Sequence, residues 1–554
     1  MNHASRALIA GLLIAAVPLA GSPAAAQHPH EMTPAPAAGA VPLFTDLGSW
    51  THPVTASPEA QKYFDQGLRL YYGFNHAEAI RAFQQAARLD ASCAMAWWGV
   101  AAAAGPNINI PMDEAGAALA REAIGKAVAL APRASEADRA YVEALKVRYS
   151  DDPKVSRAAL DSAYCDAMRG LAKRYPADAD AGALCAESIL DLNPWNQWTH
   201  EGKPNPGTLE AVARLESVLK KHPEHPGANH FYIHAVEASS SPERANAAAS
   251  RLETLVPGAG HLVHMPSHIY ARTGRYDDAL RRNQVAVAVD EKYIEEQKPE
   301  GVYPLMYYNH NIQFIWFSAL MEGRSAMALE AARKMAGHIT PDLLAMMPMM
   351  ELVPPYPIAT LVRFGRWDEV LKEPAPPASA HYASGLWHYA RGIAMAGQGD
   401  VDGARAERDS VMAMAAMVPA DMMISINYGQ PLLRVAANTL AGRIAARQQR
   451  TDEAVRLLTL AVAGEDSLHY DEPPTWYYPV RQTLGAVLLQ AKRAKDAEAV
   501  YREDLRRHPE NGWSLRGLVL ALGAQGRAKE AAAAEARFRK AWARADVPLA
   551  SSDF

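Results

Sequence analysis

Apolar positions along this chain recur at intervals of three and four, the period of amphipathic helices, and runs that alternate like half-buried strands are almost absent. One phrase keeps returning: a short turn, a small residue, then an apolar helix that ends near a proline. It reads Asn75-His-Ala-Glu-Ala-Ile-Arg-Ala-Phe83, Gly274-Arg-Tyr-Asp-Asp-Ala-Leu280, Gly365-Arg-Trp-Asp-Glu-Val-Leu371 and Arg450-Thr-Asp-Glu-Ala-Val455. It returns as Ala494-Lys-Asp-Ala-Glu-Ala-Val-Tyr501 and Gly526-Arg-Ala-Lys-Glu-Ala-Ala532.

These phrases resemble the turn and second helix of the tetratricopeptide repeat, a helix–turn–helix unit of about 34 residues. Set by the turn residue, units begin near 60, 94, 226, 260, 309, 351, 385, 435, 478 and 512. Trp97, Tyr270, Phe83 and Tyr501 stand where that family places aromatics. The resemblance covers most of residues 55–545. It implies an all-α tetratricopeptide-repeat α-solenoid, a right-handed superhelix of helix–turn–helix units with inserted loops. The insertions fall at 105–113, 193–207 and about 288–308, and loops of this kind often carry function. We divide the solenoid into an N-terminal part, 55–345, and a C-terminal part, 346–545, followed by a tail, 546–554.

Among 554 residues, 56 Lys+Arg face 61 Asp+Glu, so no basic excess exists to grip a phosphate backbone and no nucleic-acid partner is expected. Arg6, the apolar stretch Ala7 to Ala20 and the small residues Ala24-Ala25-Ala26 read as a signal peptide over 1–26. Residues 27–54 then form a Pro/Ala-rich linker. The expected location is periplasmic or secreted, after cleavage near Ala26. The leader is too short for a membrane span and no later run reaches 18 apolar residues, so no transmembrane segment is expected. Cys93, Cys165 and Cys185 allow one disulfide at most.

Histidine is concentrated in two consecutive units. The first holds His230, His234 and Glu237 at i, i+4 and i+7; the second holds His261, His264 and His268 at i, i+3 and i+7. Each set lies on one helical face. In repeat register, His230 and His264 share position 5, and His234 and His268 share position 9. Positions 2, 5 and 9 of the two units are six slots, where composition predicts about 0.2 histidines and the sequence supplies five. Aligning the neighbouring units adds Glu187 at position 9 and His310 at position 2. Pro266 interrupts the second unit, so its helix must kink or restart there.

Six histidines as ligands, with Glu187 and Glu237 as candidate catalytic carboxylates, suit one or two transition-metal ions: zinc or copper first, iron third. Two all-histidine sets of three favour a copper pair and oxygen chemistry, whereas carboxylate ligands or bases favour zinc or iron. An open zinc site with Glu237 as general base gives hydrolysis. His28, His30 and Met32 are weaker copper candidates in the linker. The cluster Met346, Met347, Met349 and Met350 reads as core packing. Trp195 and Trp198 in the second insertion, and Trp476 and Arg481 in a late unit, are candidate substrate contacts. The groove is expected to take a small molecule or a peptide. Three readings stand: a metal-dependent enzyme, a metal-free scaffold for peptide or protein partners, and a metal carrier. The phrasing NHFYIHAVEAS and HLVHMPSHIYARTGRY also resembles secreted bacterial tetratricopeptide-repeat proteins, a likeness that implies no particular activity.

Overall fold

The computed structural model describes residues 41–554; the expected signal peptide and its cleavage site lie outside them. The described chain is a succession of antiparallel helix pairs. Pro58–Tyr72 packs on His76–Leu89, and Ala94–Ala103 on Glu114–Leu130. The series continues through Ala179–Leu190 with Thr208–Lys221 and Pro226–Val236 with Asn246–Leu255. Then come Gly260–His264 and Pro266–Arg272 with Tyr276–Gln297, and Tyr308–Met321 with Ser325–Gly337. His381–Gln398 pairs with Val401–Met417, Gly429–Arg447 with Thr451–Asp466, Val480–Gln490 with Ala494–Arg507, and Gly512–Ala524 with Ala528–Ala541. This is a tetratricopeptide-repeat α-solenoid. The only strands among the described residues are Met423–Ile424 and Asn427–Tyr428, a two-stranded antiparallel hairpin.

Local chemistry explains both the helix starts and the close packing. Ser57, Asn75, Asp113, Asp178 and Asn511 each cap a helix by accepting a backbone N–H of its first turn. Gly67 and Gly99, on first helices of successive units, both face the Phe83 ring, which a Cβ would meet at 2.7 and 2.4 Å. Gly485 and Gly517 repeat the arrangement around Tyr501. The aromatic of a second helix thus fills the notch left by two glycines, which holds neighbouring helices at close range.

The pairs differ from the sequence register in two ways. Glu136–Lys146 and Arg157–Arg174 form a unit between those expected at 94 and 226, invisible earlier because no turn phrase marks it. Three later first helices start at Tyr356, His381 and Gly429 rather than near 351, 385 and 435. There the segment 341–355, rich in Pro and Met, adds a short α-helix, Pro341–Met346, and a 3-10 turn, Pro348–Leu352, and the second helix of the next pair is a single turn, Trp367–Val370.

The apolar core falls into two clusters. One runs from Leu47 to Tyr307, the other from Ala271 to Leu549, and they meet at the helices that carry the histidines. Cys93, Cys165 and Cys185 are buried free thiols. The tail folds back on the solenoid: the Asp546 carboxylate accepts the N–H groups of Ser325 and Ala326, Ser552 bonds Tyr501, and Asp553 pairs with Arg443. No helix among the described residues is long and apolar enough to cross a membrane.

Candidate metal centre

Three consecutive first helices supply the site. Pro226–Val236 is buried along its whole length, and His225 caps it by accepting the Ala228 N–H (3.1 Å). His230 and His234 lie one turn apart on it. In the next unit Pro266 opens a new helix, as its missing N–H requires, but Met265 keeps helical torsions (φ −51°, ψ −34°). The chain therefore stays helical across the proline, and His261, His264 and His268 remain on one face. Tyr308–Met321, entered through a π-helical turn at Tyr303–Tyr307, brings in His310.

The six imidazoles sort into two triads that cross unit boundaries. His230, His234 and His261 form one; His264, His268 and His310 form the other. Within each, one ligand atom per residue lies within 4.8 Å of the others. The triads abut: ring centroids are 5.6 Å apart for His261 and His264, and 5.7 Å for His234 and His268.

Oxygen atoms stand behind the rings. His230 Nδ1 lies 2.7 Å from the Tyr72 carbonyl, His234 Nδ1 2.7 Å from Glu237 Oε1, and His264 Nδ1 2.7 Å from Asn283 Oδ1. His268 Nδ1 is 2.6 Å from Glu237 Oε2, and His310 Nδ1 3.2 Å from Gln313 Oε1. A carbonyl or carboxylate oxygen can only accept, so Nδ1 of His230, His234, His264 and His310 carries the proton and their Nε2 presents a lone pair, while His268 Nδ1 lies near Glu237 without a hydrogen bond. His230 Nε2, His234 Nε2 and both nitrogens of His261 are buried with no hydrogen-bond partner, and His264 Nε2 faces His268 Nε2 at 2.9 Å. Buried polar atoms are rarely left so, and this set points inward together.

Burial, then neighbouring imidazoles, holds His230, His261 and His264 well below the ordinary histidine range, and His310 at about 3. All four are neutral at physiological pH, the state a metal ligand needs. Burial pushes the Glu237 carboxyl up, but His268 and His234 beside it bring it down to about 2, so it is ionised.

Aromatic rings wall the centre. Phe74 lies 4.5 Å from His230 and 5.5 Å from His261, Tyr307 4.7 Å from His261, and Phe314 4.8 Å from both His264 and His268. Trp195 stands edge-on to His234 at 5.5 Å. Phe74 (φ 55°) and Trp195 (φ 58°) both hold left-handed backbone, an uncommon state for bulky residues that Gln449 and Lys492 also adopt in turns away from the centre.

The other expected residues lie elsewhere. Glu187 accepts the Tyr71 hydroxyl at 2.8 Å, outside both triads, and Glu237 faces the Nδ1 side of its histidines. Trp198 donates to the Ala235 carbonyl (2.8 Å). Trp476 is buried against Tyr389, Tyr477 and Tyr478, and Arg481 pairs with Asp466. The late segment does come back toward the centre, through different residues. Arg272 donates to the Glu237 carbonyl (2.9 Å) and lies under the Tyr470 ring, whose hydroxyl bonds Glu472. Asn283 was legible: it interrupts the apolar stripe Ala279, Leu280, Ala286, Val287 of its helix. Tyr72 was not, because it acts through its backbone. His52, Asp178 and Asp180 form a third cluster, but Asp180 already takes Tyr72, Trp50 and His52 as donors, which makes it a structural hub.

No family model and no curated protein sequence matches this chain. Solved structures do. A human IFIT1 dimer with m7Gppp-AAAA is 11% identical, covering 86% of this chain and 88% of that one, with a TM-score of 0.34. Yeast Tom70 is 12% identical over 85% and 96%, TM-score 0.34. The P58(IPK) TPR domain is 13% identical over 85% and 99%, TM-score 0.21.

Proposed function

We propose that the two triads hold a pair of transition-metal ions, three imidazoles to each, and that the pair is copper serving the oxidation of a small organic molecule by dioxygen. One observation carries this reading: five buried imidazoles and a half-buried sixth in two abutting triads, with Nδ1 atoms backed by oxygen and several Nε2 atoms partnerless. Donor chemistry favours copper or zinc over iron and manganese. No thiolate or carboxylate joins either triad, whereas iron and manganese sites usually include oxygen ligands. Charge then favours copper. Two dications among neutral imidazoles bring four positive charges into a buried site where Glu237 is the adjacent anion. Two monovalent coppers bring half as many.

Such a pair, when bound, would supply electron transfer to dioxygen: four one-electron, one-proton oxidations of substrate balance the reduction of one O2 to two waters. The protein's residues do the rest. Glu237 serves both triads, fixing the tautomer and orientation of His234 and setting its other oxygen beside His268, which makes it a positioning residue. Asn283, Gln313 and the Tyr72 carbonyl do the same for His264, His310 and His230. Phe74, Tyr307, Phe314 and Trp195 exclude water and keep the imidazoles neutral. The leader sequence supports a periplasmic or secreted location.

Elemental analysis of untagged, mature protein tests the reading. Two coppers per chain are expected, one after His230→Ala or His310→Ala, and none in His234→Ala/His268→Ala. Full occupancy in that double variant would sink the ligand set. Two zincs instead would direct the chemistry to hydrolysis. No metal after incubation with copper and zinc would leave a ligand-binding scaffold.

A further inference from the structure

Next to the first triad lies a cleft open to solvent on one side. Two insertions that interrupt the repeat build it: the loop 105–113 supplies Asn107, Ile110 and Met112, and the segment before Tyr308 supplies Val302 and Tyr307. Its inner wall is Phe74 and Tyr307, the rings that touch His261 from the other side. Its outer rim, at Pro111, Glu300 and Gly301, is exposed. The cleft therefore runs from solvent to within one ring of the proposed metal pair.

Its chemistry is selective. Most of the wall is aliphatic or aromatic; two carboxylates stand at its rim, Glu300 in solvent and Asp113 capping a helix through the Gly116 N–H, and no lysine or arginine lines it. One polar edge is fixed by a chain of hydrogen bonds. The N–H groups of Asn109 and Ile110 donate to Asn107 Oδ1 (2.8 and 3.1 Å), which settles the orientation of that amide. Asn107 Nδ2 then faces His76 Nδ1 at 3.2 Å and donates to it. His76 Nε2 is buried with no hydrogen-bond partner among the described residues. Burial, the largest effect, lowers this imidazole to about 4 against the pull of the Tyr71 carbonyl, so it is neutral and offers one polar nitrogen for hydrogen bonding. Tyr71 stacks on the ring at 5.2 Å and fixes its plane.

We infer that this cleft binds the substrate of the metal pair, and that the substrate is a flat, uncharged ring bearing a hydrogen-bonding oxygen, a phenol or a close equivalent. The inference rests on the proposed copper centre for its catalytic meaning, but the binding site stands on its own lining. Flat walls with a single polar edge select a flat ring with one polar substituent. Without a cation in the lining, a carboxylate would lose its hydration uncompensated.

The test is binding of 4-fluorophenol to the full-length mature protein, followed by 19F NMR, with metal content measured on each sample. Saturable binding is expected, with 4-fluorobenzoate at least tenfold weaker and cyclohexanol a poor competitor. Ile110→Trp and, separately, Val302→Trp should each weaken 4-fluorophenol at least tenfold while keeping the metal content and helical signal of the parent. His234→Ala/His268→Ala, stripped of metal, should still bind the phenol. Unchanged binding in both tryptophan variants, or equal binding of the benzoate, would overturn the cleft assignment and leave the metal centre untouched. Phenol binding by a parent protein that takes up no metal would remove the copper reading and keep the cleft.

Discussion

At the scale of single residues, Phe74 stands at a turn whose positive φ the repeat itself demands, as Gln449 and Lys492 do in later units. Gly274, Gly323, Gly365 and Gly526 occupy the same turn between paired helices, all with positive φ, the conformation glycine adopts at least cost. At the first unit a phenylalanine takes the position and its ring covers three histidines. Phe74→Gly should relieve about 1 kcal/mol of backbone strain but open a cavity costing about 3–5 kcal/mol. The net expectation is a loss of a few kcal/mol in denaturant unfolding, with faster release of metal to a chelator. Glu237→Gln tests the shared support. A glutamine offers one acceptor oxygen where two imidazoles face one each, so metal affinity should fall about 10–100-fold with the fold intact, read by chelator competition.

Asp290 gives the pH dependence its sign. Burial, opposed by hydrogen bonds from Tyr303 and Asn311, raises its carboxyl from 3.8 to about 7. The folded chain then holds a proton that the unfolded chain releases near pH 4. Its contribution is fully present below pH 4 and is lost as pH rises through 7. Asp290→Asn should flatten the unfolding midpoint between pH 4 and 7, where the parent declines.

At the scale of elements, buried charge ties units together. Arg148, 1% exposed, sits just after Glu136–Lys146 and reaches Asp161 (3.1 Å) and Asp191 (2.8 Å) on two further helices. Removing one partner of a buried pair leaves the others uncompensated, so Arg148→Ala should cost about 3–5 kcal/mol. Replacing an exposed pair such as Lys126–Glu122 should change little. Paired denaturation curves check both. The histidine helices show the same logic in reverse: Pro266 restarts a helix without turning its face, which leaves three histidines aligned.

At the scale of the whole molecule, the site lies where the two core clusters meet, the usual place for a buried ligand site. The C-terminal tail stabilises only the second cluster. Phe554 packs on Trp513 at 5.7 Å and Ser552 caps Tyr501. Deleting residues 549–554 should therefore lower the first thermal unfolding transition while leaving metal content unchanged, because a solenoid couples mainly nearest neighbours. Calorimetry and elemental analysis together decide this.

Much of this was legible before any coordinates. Helical periodicity, the turn phrase and the spacing of small and aromatic residues determine the repeat, because each unit's packing is written within its own 34 residues and its neighbour's. The six histidines were legible for the same reason: helical spacing and repeat register put them on one face. Tertiary structure alone decided their sorting into two triads that mix units, since that depends on the offset between stacked helices. It also decided that Glu237 supports both triads from behind, and that the loop 105–113 and the segment near 302 meet beside Phe74. Late residues such as Tyr470 and Glu472 reach the centre because the superhelix returns there, a distance of some 200 residues that no local pattern encodes.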